Sequence, residues 1–181
     1  MKLAMVFPGQ GSQSVGMLRA YAGLPEVDAV RAGAEAALGA DFLGLLDDGP
    51  AEQLNLTVNT QPAMVTAALT AYRAWIALGG PAPAVVAGHS LGEYSALVAA
   101  GALSFDAALP LVRFRAQAMQ EAVPEGQGAM AAILGLDDAA VRAACDDVAQ
   151  DEAVQAVNFN APGQVVIAGH KAAVARAIEA C

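Results

Sequence analysis

The sequence predicts an α/β protein made of two successive regions, each with its own small sheet. Two short, unbroken apolar runs, "LAMVF" at Leu3–Phe7 and "PAVVA" at 83–87, each lead into a Gly-rich turn, as strands of a parallel sheet do. Ala-rich stretches with helical spacing separate and follow them. After "VPEGQG" at 123–128 the texture changes to strand, helix, hairpin and helix. That order, β-α-β-β-α, is one strand short of a ferredoxin-like split βαβ unit.

"LAMVF" is ended by Pro8 and Gly9 and reads as a strand buried on both faces. A helix follows around Glu26 to Leu38. A stronger one is expected from about Pro62 to Leu78, with Thr60 as its cap, Pro62 in its first turn and Gly79-Gly80 after its end. "PAVVA" is the second buried strand, and the helix after "GHSLGEY" leaves it directly. Ser104 caps a further helix running to about Val123, in which Pro110 bends the helix or moves its start. The apolar stripe of that helix (Leu109, Val112, Ala116, Met119, Val123) leaves Arg113 and Arg115 on opposite flanks, where an arginine is by default a solvated rim charge.

In the second region "AMAAILGL" reads as a strand and "DDAAVRAACDDVA" as a helix. "VQAVNFNAPGQVVIAG" reads as a hairpin turning at Ala161-Pro162-Gly163, and "HKAAVARAIEAC" as a helix, with His170 as a surface or capping residue. The expected domains are residues 1–125 and 126–181. Two parallel strands are too few for an independent sheet, and the second region lacks its last strand. The final helix also runs to Cys181 without a cap. The expectation is therefore the N-terminal part of a longer protein, with both domains incomplete.

Composition narrows the function classes. The chain has 181 residues, enough for one domain with a real core or one domain plus a small appendage, and 56% of them are hydrophobic. Nine basic residues against 18 acidic ones give a net charge of −9, which argues against nucleic acid. That field does not steer an acidic partner either, so such a partner needs a local arginine cluster. "MKLAMVFPGQG" has too short an apolar run for a secretory signal, and no stretch approaches membrane-spanning length. Cys145 and Cys181 read as free, small apolar fillers of Ala-rich helices. No disulfide framework or metal site is indicated, and the expected compartment is the cytoplasm.

The chemistry concentrates at "GHSLGEY". In Gly88-x-Ser90-x-Gly92 the flanking glycines let strand and helix approach closely, while the serine hydroxyl projects at the helix N-terminus. The N–H of Leu91 then faces a developing oxyanion, which the helix dipole favours. The competing reading is a Gly-rich turn with a capping serine. "FPGQGSQ" at Phe7–Gln13 ends the other strand, so both loops meet at one sheet edge, and the N–H of Gln10 is a second oxyanion donor. A plain tight turn competes here. A dinucleotide loop fails at Ser14, where the third glycine is needed, and no Gly-Lys phosphate loop occurs.

Together "FPGQGSQ", "GHSLGEYSAL", "VRFRAQAMQEAVPEGQGAMAAI" and "VNFNAPGQVVIAGH" resemble the malonyl-CoA:acyl carrier protein transacylase family of fatty-acid synthesis, from Leu3 to the last residue. The resemblance implies an α/β-hydrolase-like parallel-sheet core with an inserted ferredoxin-like small domain. Ser90 matches the nucleophile that takes malonyl from coenzyme A as an ester, and the amides of Gln10 and Leu91 match the oxyanion hole. Arg115 matches the arginine that pairs with the free malonyl carboxylate through parallel hydrogen bonds. His89 matches the histidine beside the nucleophile, which in the family is not the base. Asn158 and Asn160 match an asparagine pair facing the cleft from the small domain.

The implied partners are a coenzyme A thioester and acyl carrier protein, whose phosphopantetheine thiol accepts the acyl group. The resemblance implies no metal or redox cofactor, no nucleic acid, no membrane, and a monomer at full length. A serine nucleophile needs a base. Neither His89 nor His170 matches the family's catalytic histidine, which lies in a later segment. A serine hydrolase or thioesterase on the same elbow is the rival enzyme, disfavoured because a plain esterase has no use for a carboxylate clamp. A non-catalytic piece that binds coenzyme A or carrier protein is the rival from another class.

Overall fold

In a computed structural model, which describes residues 2–124 and 126–181, the two apolar runs pair as a parallel ladder. β1 (Ala4–Phe7) aligns Ala4 with Val85 and Phe7 with Gly88 of β2 (Val85–Gly88). Between them lie a 3-10 turn (Arg19–Tyr21) and four helices: α1 (Pro25–Leu38), α2 (Ala40–Asp48), α3 (Ala51–Leu54) and α4 (Thr57–Ala77). α5 (Gly92–Ala99) and α6 (Phe105–Ala122) follow β2. The second region runs β3 (Gly128–Leu134), α7 (Asp138–Val148), β4 (Val154–Ala161), β5 (Gln164–His170) and α8 (Lys171–Ala180). Its antiparallel sheet has the order β3-β5-β4, the spatial order expected of a split βαβ unit in which β3 keeps one edge open. The protein is thus mixed α/β, with one parallel and one antiparallel sheet.

The chain divides into two compact units, one ending at Gln120 and the other beginning at Glu121. The domain division expected after residue 125 falls on Glu125, which, like Met1, lies outside the described residues. The first unit's core joins Val30, Leu46, Leu54, Val65, Leu69, Leu91, Leu109 and Val112, all essentially fully buried. Arg31 of α1 clasps Asp47 of α2 through both terminal nitrogens, and that hydrogen bond raises the arginine's pKa further above its ordinary value. The second unit's core joins Val141 and Cys145 of α7 to Val165 and Ile167 of β5 and Val174 of α8. Asp137 caps α7 by accepting from the Ala140 N–H at 2.8 Å, and the hairpin turns at Pro162-Gly163, with Gly163 at φ 72°.

Several expectations are corrected. β1 and β2 are not buried on both faces. Met5, Phe7, Val86 and Gly88 form the shielded side, and Ala4, Val6, Val85 and Ala87 share a face that the described residues leave open, with Val6 75% exposed. α4 begins at Thr57, so Thr60 is not its cap and Pro62 lies past its first turn. Proline has no N–H to offer the carbonyl four residues back. That carbonyl, on Val58, instead accepts from Arg113 Nη1 of α6 at 2.6 Å, which lets the helix continue through the proline. Arg113 also donates to Asn59 Oδ1, so it joins two helices and is not a solvated rim charge. The Thr60 hydroxyl donates to the Leu54 carbonyl.

In α6 the expected cap holds, since Ser104 Oγ accepts from the Ala107 N–H at 3.2 Å, and Pro110 sits inside the helix without moving its start. Its apolar stripe ends early, however: Met119 and Val123 are about half exposed. Cys145 is a buried filler, and that burial pushes its thiol pKa up, whereas Cys181 is exposed beyond the end of α8. His170 does not cap α8 with its side chain. Its Nδ1 accepts from the Ala153 N–H at 2.9 Å.

Candidate active site

The geometry at Ser90 follows from how closely β1, β2 and α5 approach one another. A Cβ placed on Gly88 would lie 2.0 Å from the backbone of Gly92, and one on Gly92 would lie 2.3 Å from the Phe7 carbonyl oxygen. Any side chain at either position would wedge strand and helix apart. Between these glycines the chain reverses so sharply that Ser90 takes φ 54°, the left-handed region that non-glycine residues rarely enter. Its side chain is exposed, while Leu91 next to it is buried beneath the helix.

The turn also determines which amides are free. Gly92 donates to the His89 carbonyl, Glu93 to that of Ser90 and Tyr94 to that of Leu91. Among the described residues no hydrogen bond uses the N–H of Leu91, at the helix N-terminus beside the hydroxyl. The Gln10 N–H likewise has no acceptor among them, on a loop shaped by the Gly11 N–H donating to Gln13 Oε1. That loop lies against the elbow, since a Cβ on Gly9 would sit 3.2 Å from His89 Nδ1 and 3.9 Å from Ser90 Cβ. The two unpaired amides thus lie on loops that touch each other, one of which carries the exposed Ser90 hydroxyl.

A cation completes the cluster. Arg115 Nη2 donates to Ser90 Oγ at 3.0 Å, and its Nη1 donates to Gln61 Oε1. Among the described residues no carboxylate pairs with this guanidinium. Ser90, Arg115, His89 and the amides of Gln10 and Leu91 all belong to the first unit. Asn158 and Asn160 belong to the second. Asn158 is half-buried opposite Val166, and Asn160 occupies an irregularity of β4 beside a cavity of about 690 Å³ lined by Asp137, Phe159 and Pro162. Among the described residues no cluster of metal-ligating side chains occurs.

Sequence reasoning missed Gln61, a wholly buried amide between Arg115 and Met119. Its only sequence signal is a polar residue directly before Pro62 at the start of an apolar helix, which many turns share.

Over 181 residues the chain is 59% identical to the malonyl CoA-acyl carrier protein transacylase of Escherichia coli strain K12, covering 99% of this chain and 59% of that protein. The crystal structure of an acyl-carrier-protein S-malonyltransferase from Burkholderia pseudomallei 1710b superposes with a TM-score of 0.93 at 64% identity, over 99% of this chain and 58% of that one. A malonyl-transacylase solved in complex with a type II PKS acyl-carrier protein gives a TM-score of 0.94 at 53% identity, over 100% and 59%. The chain therefore spans about three-fifths of the length of these relatives. The acyl transferase domain profile matches residues 4–181, and the chain whose Ser90 turn and Arg115 have just been described belongs to the acyl transferase domain family.

Proposed function

We propose that this chain carries the nucleophile, oxyanion donors and carboxylate clamp of an enzyme that moves malonyl from malonyl-CoA to the phosphopantetheine thiol of acyl carrier protein. In the first half-reaction Ser90 Oγ bonds to the thioester carbonyl carbon and loses its proton to a base. The amides of Gln10 and Leu91 hold the oxyanion, and collapse breaks the C–S bond, releasing coenzyme A as its thiol once the proton is returned. In the second half-reaction the carrier thiol attacks the Ser90 ester and the serine hydroxyl is regenerated. The base is assigned to neither His89 nor His170. His89 has its role beside the nucleophile, and Asn158 and Asn160 of the small domain have a role in substrate binding. The transfer uses no metal or redox cofactor.

The observation that carries this reading is Arg115 at 3.0 Å from Ser90 Oγ with no carboxylate partner among the described residues. A malonyl ester on Ser90 places a carboxylate one methylene beyond the ester carbonyl, within reach of that guanidinium. A plain acyl group offers it nothing, which disfavours the thioesterase alternative. The relatives' names and the carrier-protein complex of one of them support the choice of malonyl and of carrier protein.

The test is brief exposure of the whole enzyme to malonyl-CoA, followed by mass analysis of the peptide around Ser90. A malonyl adduct is expected, absent in Ser90→Ala. An adduct that persists in Ser90→Ala overturns the assignment. Arg115→Ala removes the partner of a buried carboxylate, worth about 2–5 kcal/mol. Malonyl transfer is expected to fall by orders of magnitude while acetyl transfer falls less or rises, and equal losses would reduce Arg115 to a structural role.

A further inference from the structure

Gln61 has no part in the chemistry just described, yet it is a fully buried polar side chain held at both ends of its amide. It is 0% exposed, inside α4, and reaches α6 at two positions one helical turn apart. Arg115 Nη1 donates to its Oε1, and its Nε2 donates to Met119 Sδ at 3.3 Å. The orientation of the amide is not arbitrary. A guanidinium has only donors, so the oxygen of Gln61 must face Arg115 and the NH2 must face the sulfur, a weak acceptor.

We propose that Gln61 is the positioning residue that gives the site its preference for carboxylate-bearing acyl groups: it orients Arg115 without neutralising it. This rests on the reading of Ser90 as nucleophile and Arg115 as clamp. An arginine anchored by aspartate or glutamate would be held as firmly, but its charge would already be paired and a substrate carboxylate would have to compete for it. An amide supplies the acceptor and no charge. It also occupies only Nη1. Among the described residues Nε of Arg115 has no acceptor and Nη2 has only the Ser90 hydroxyl, so the Nε–Nη2 edge remains for two parallel bonds to a carboxylate. The anchor resists being drawn off, because withdrawal of Arg115 would leave the buried Gln61 oxygen unpaired.

Gln61→Glu is the decisive variant, being nearly isosteric and keeping the acceptor while adding the competing charge. In the whole enzyme, kcat/KM for malonyl-CoA is expected to fall at least about thirtyfold, the low end for disrupting a buried charge pair. Acetyl-CoA transfer should change by less than about threefold, so the malonyl:acetyl ratio collapses with the loss chiefly in KM. Gln61→Met fills the same space without an acceptor and serves if the glutamate variant does not fold. It should raise the malonyl KM and lower the ratio more modestly. A merely structural Gln61 would shift melting temperature and both substrates together, and an unchanged ratio in the folded variants overturns the proposal. Wild-type enzyme that forms no malonyl adduct on Ser90 would instead overturn the transferase reading, which the same labelling reports separately.

Discussion

At Ser90 the backbone has a conformation that sterics resist. A left-handed L-residue costs about 1–2 kcal/mol, and the close packing of Gly88 and Gly92 holds Ser90 there. Removing the side chain's Cβ removes the strain, so Ser90→Gly is expected to melt at or above the temperature of Ser90→Ala, despite glycine's greater unfolded-state freedom. Calorimetry of the two variants decides, and a clearly more stable alanine variant would mean that the turn is unstrained. The sharp turn at Ser90 was legible in the sequence because it rests on a local pattern, glycines two residues either side between a strand and a helix. The loops that carry the Gln10 and Leu91 amides were legible because each follows an apolar strand directly. Arg115 was visible only through resemblance, since helical spacing gave Arg113 and Arg115 equal standing. Gln61 was not legible at all, because an amide's role depends on which helix crosses it.

At the scale of elements, the tie between α4 and α6 has a clear logic. Pro62 orphans the Val58 carbonyl, and Arg113 supplies the missing donor. A charge-assisted hydrogen bond is worth about 1.5–3 kcal/mol, so Arg113→Ala should destabilise the protein by roughly that amount. In a Pro62→Ala background, where residue 62 regains its N–H, the same substitution should lose less. Denaturant unfolding of the four proteins measures the coupling, and strict additivity would dissociate Arg113 from the proline. The sequence placed the cap of α4 at Thr60 because proline favours a first turn. It could not show that Arg113, 55 positions after Val58 and in another helix, takes the place of the proline's donor. α2 and α3 were missed for a related reason. They are short, and Phe42, Leu46 and Leu54 become a recognisable apolar side only once α1 and α4 pack on them.

At the scale of the whole molecule, the α/β class and the β-α-β-β-α order were legible because buried strands, hairpin turns and amphipathic helices have distinct periods. The open face of β1 and β2 was not, since an apolar run reports what a strand tolerates and not what covers it. Among the described residues Ala4, Val6, Val85 and Ala87 remain open, and no helix is long and apolar enough to cross a membrane.

The parallel ladder has a consequence for the order of folding. Ala4 pairs with Val85, so the ladder that supports Ser90 forms only after some 80 residues of chain have been closed into a loop, an entropy term on the order of 4 kcal/mol. The β4–β5 hairpin closes across two residues and meets almost none of that barrier. Pulsed hydrogen exchange during refolding should therefore protect the amides of β5 well before those of β2, and earlier protection of β2 would contradict this order. The strained turn at Ser90, dependent on this long closure, is then expected to form late. A half-folded intermediate holds Ser90 and Arg115 but not the hydrogen bond that joins them.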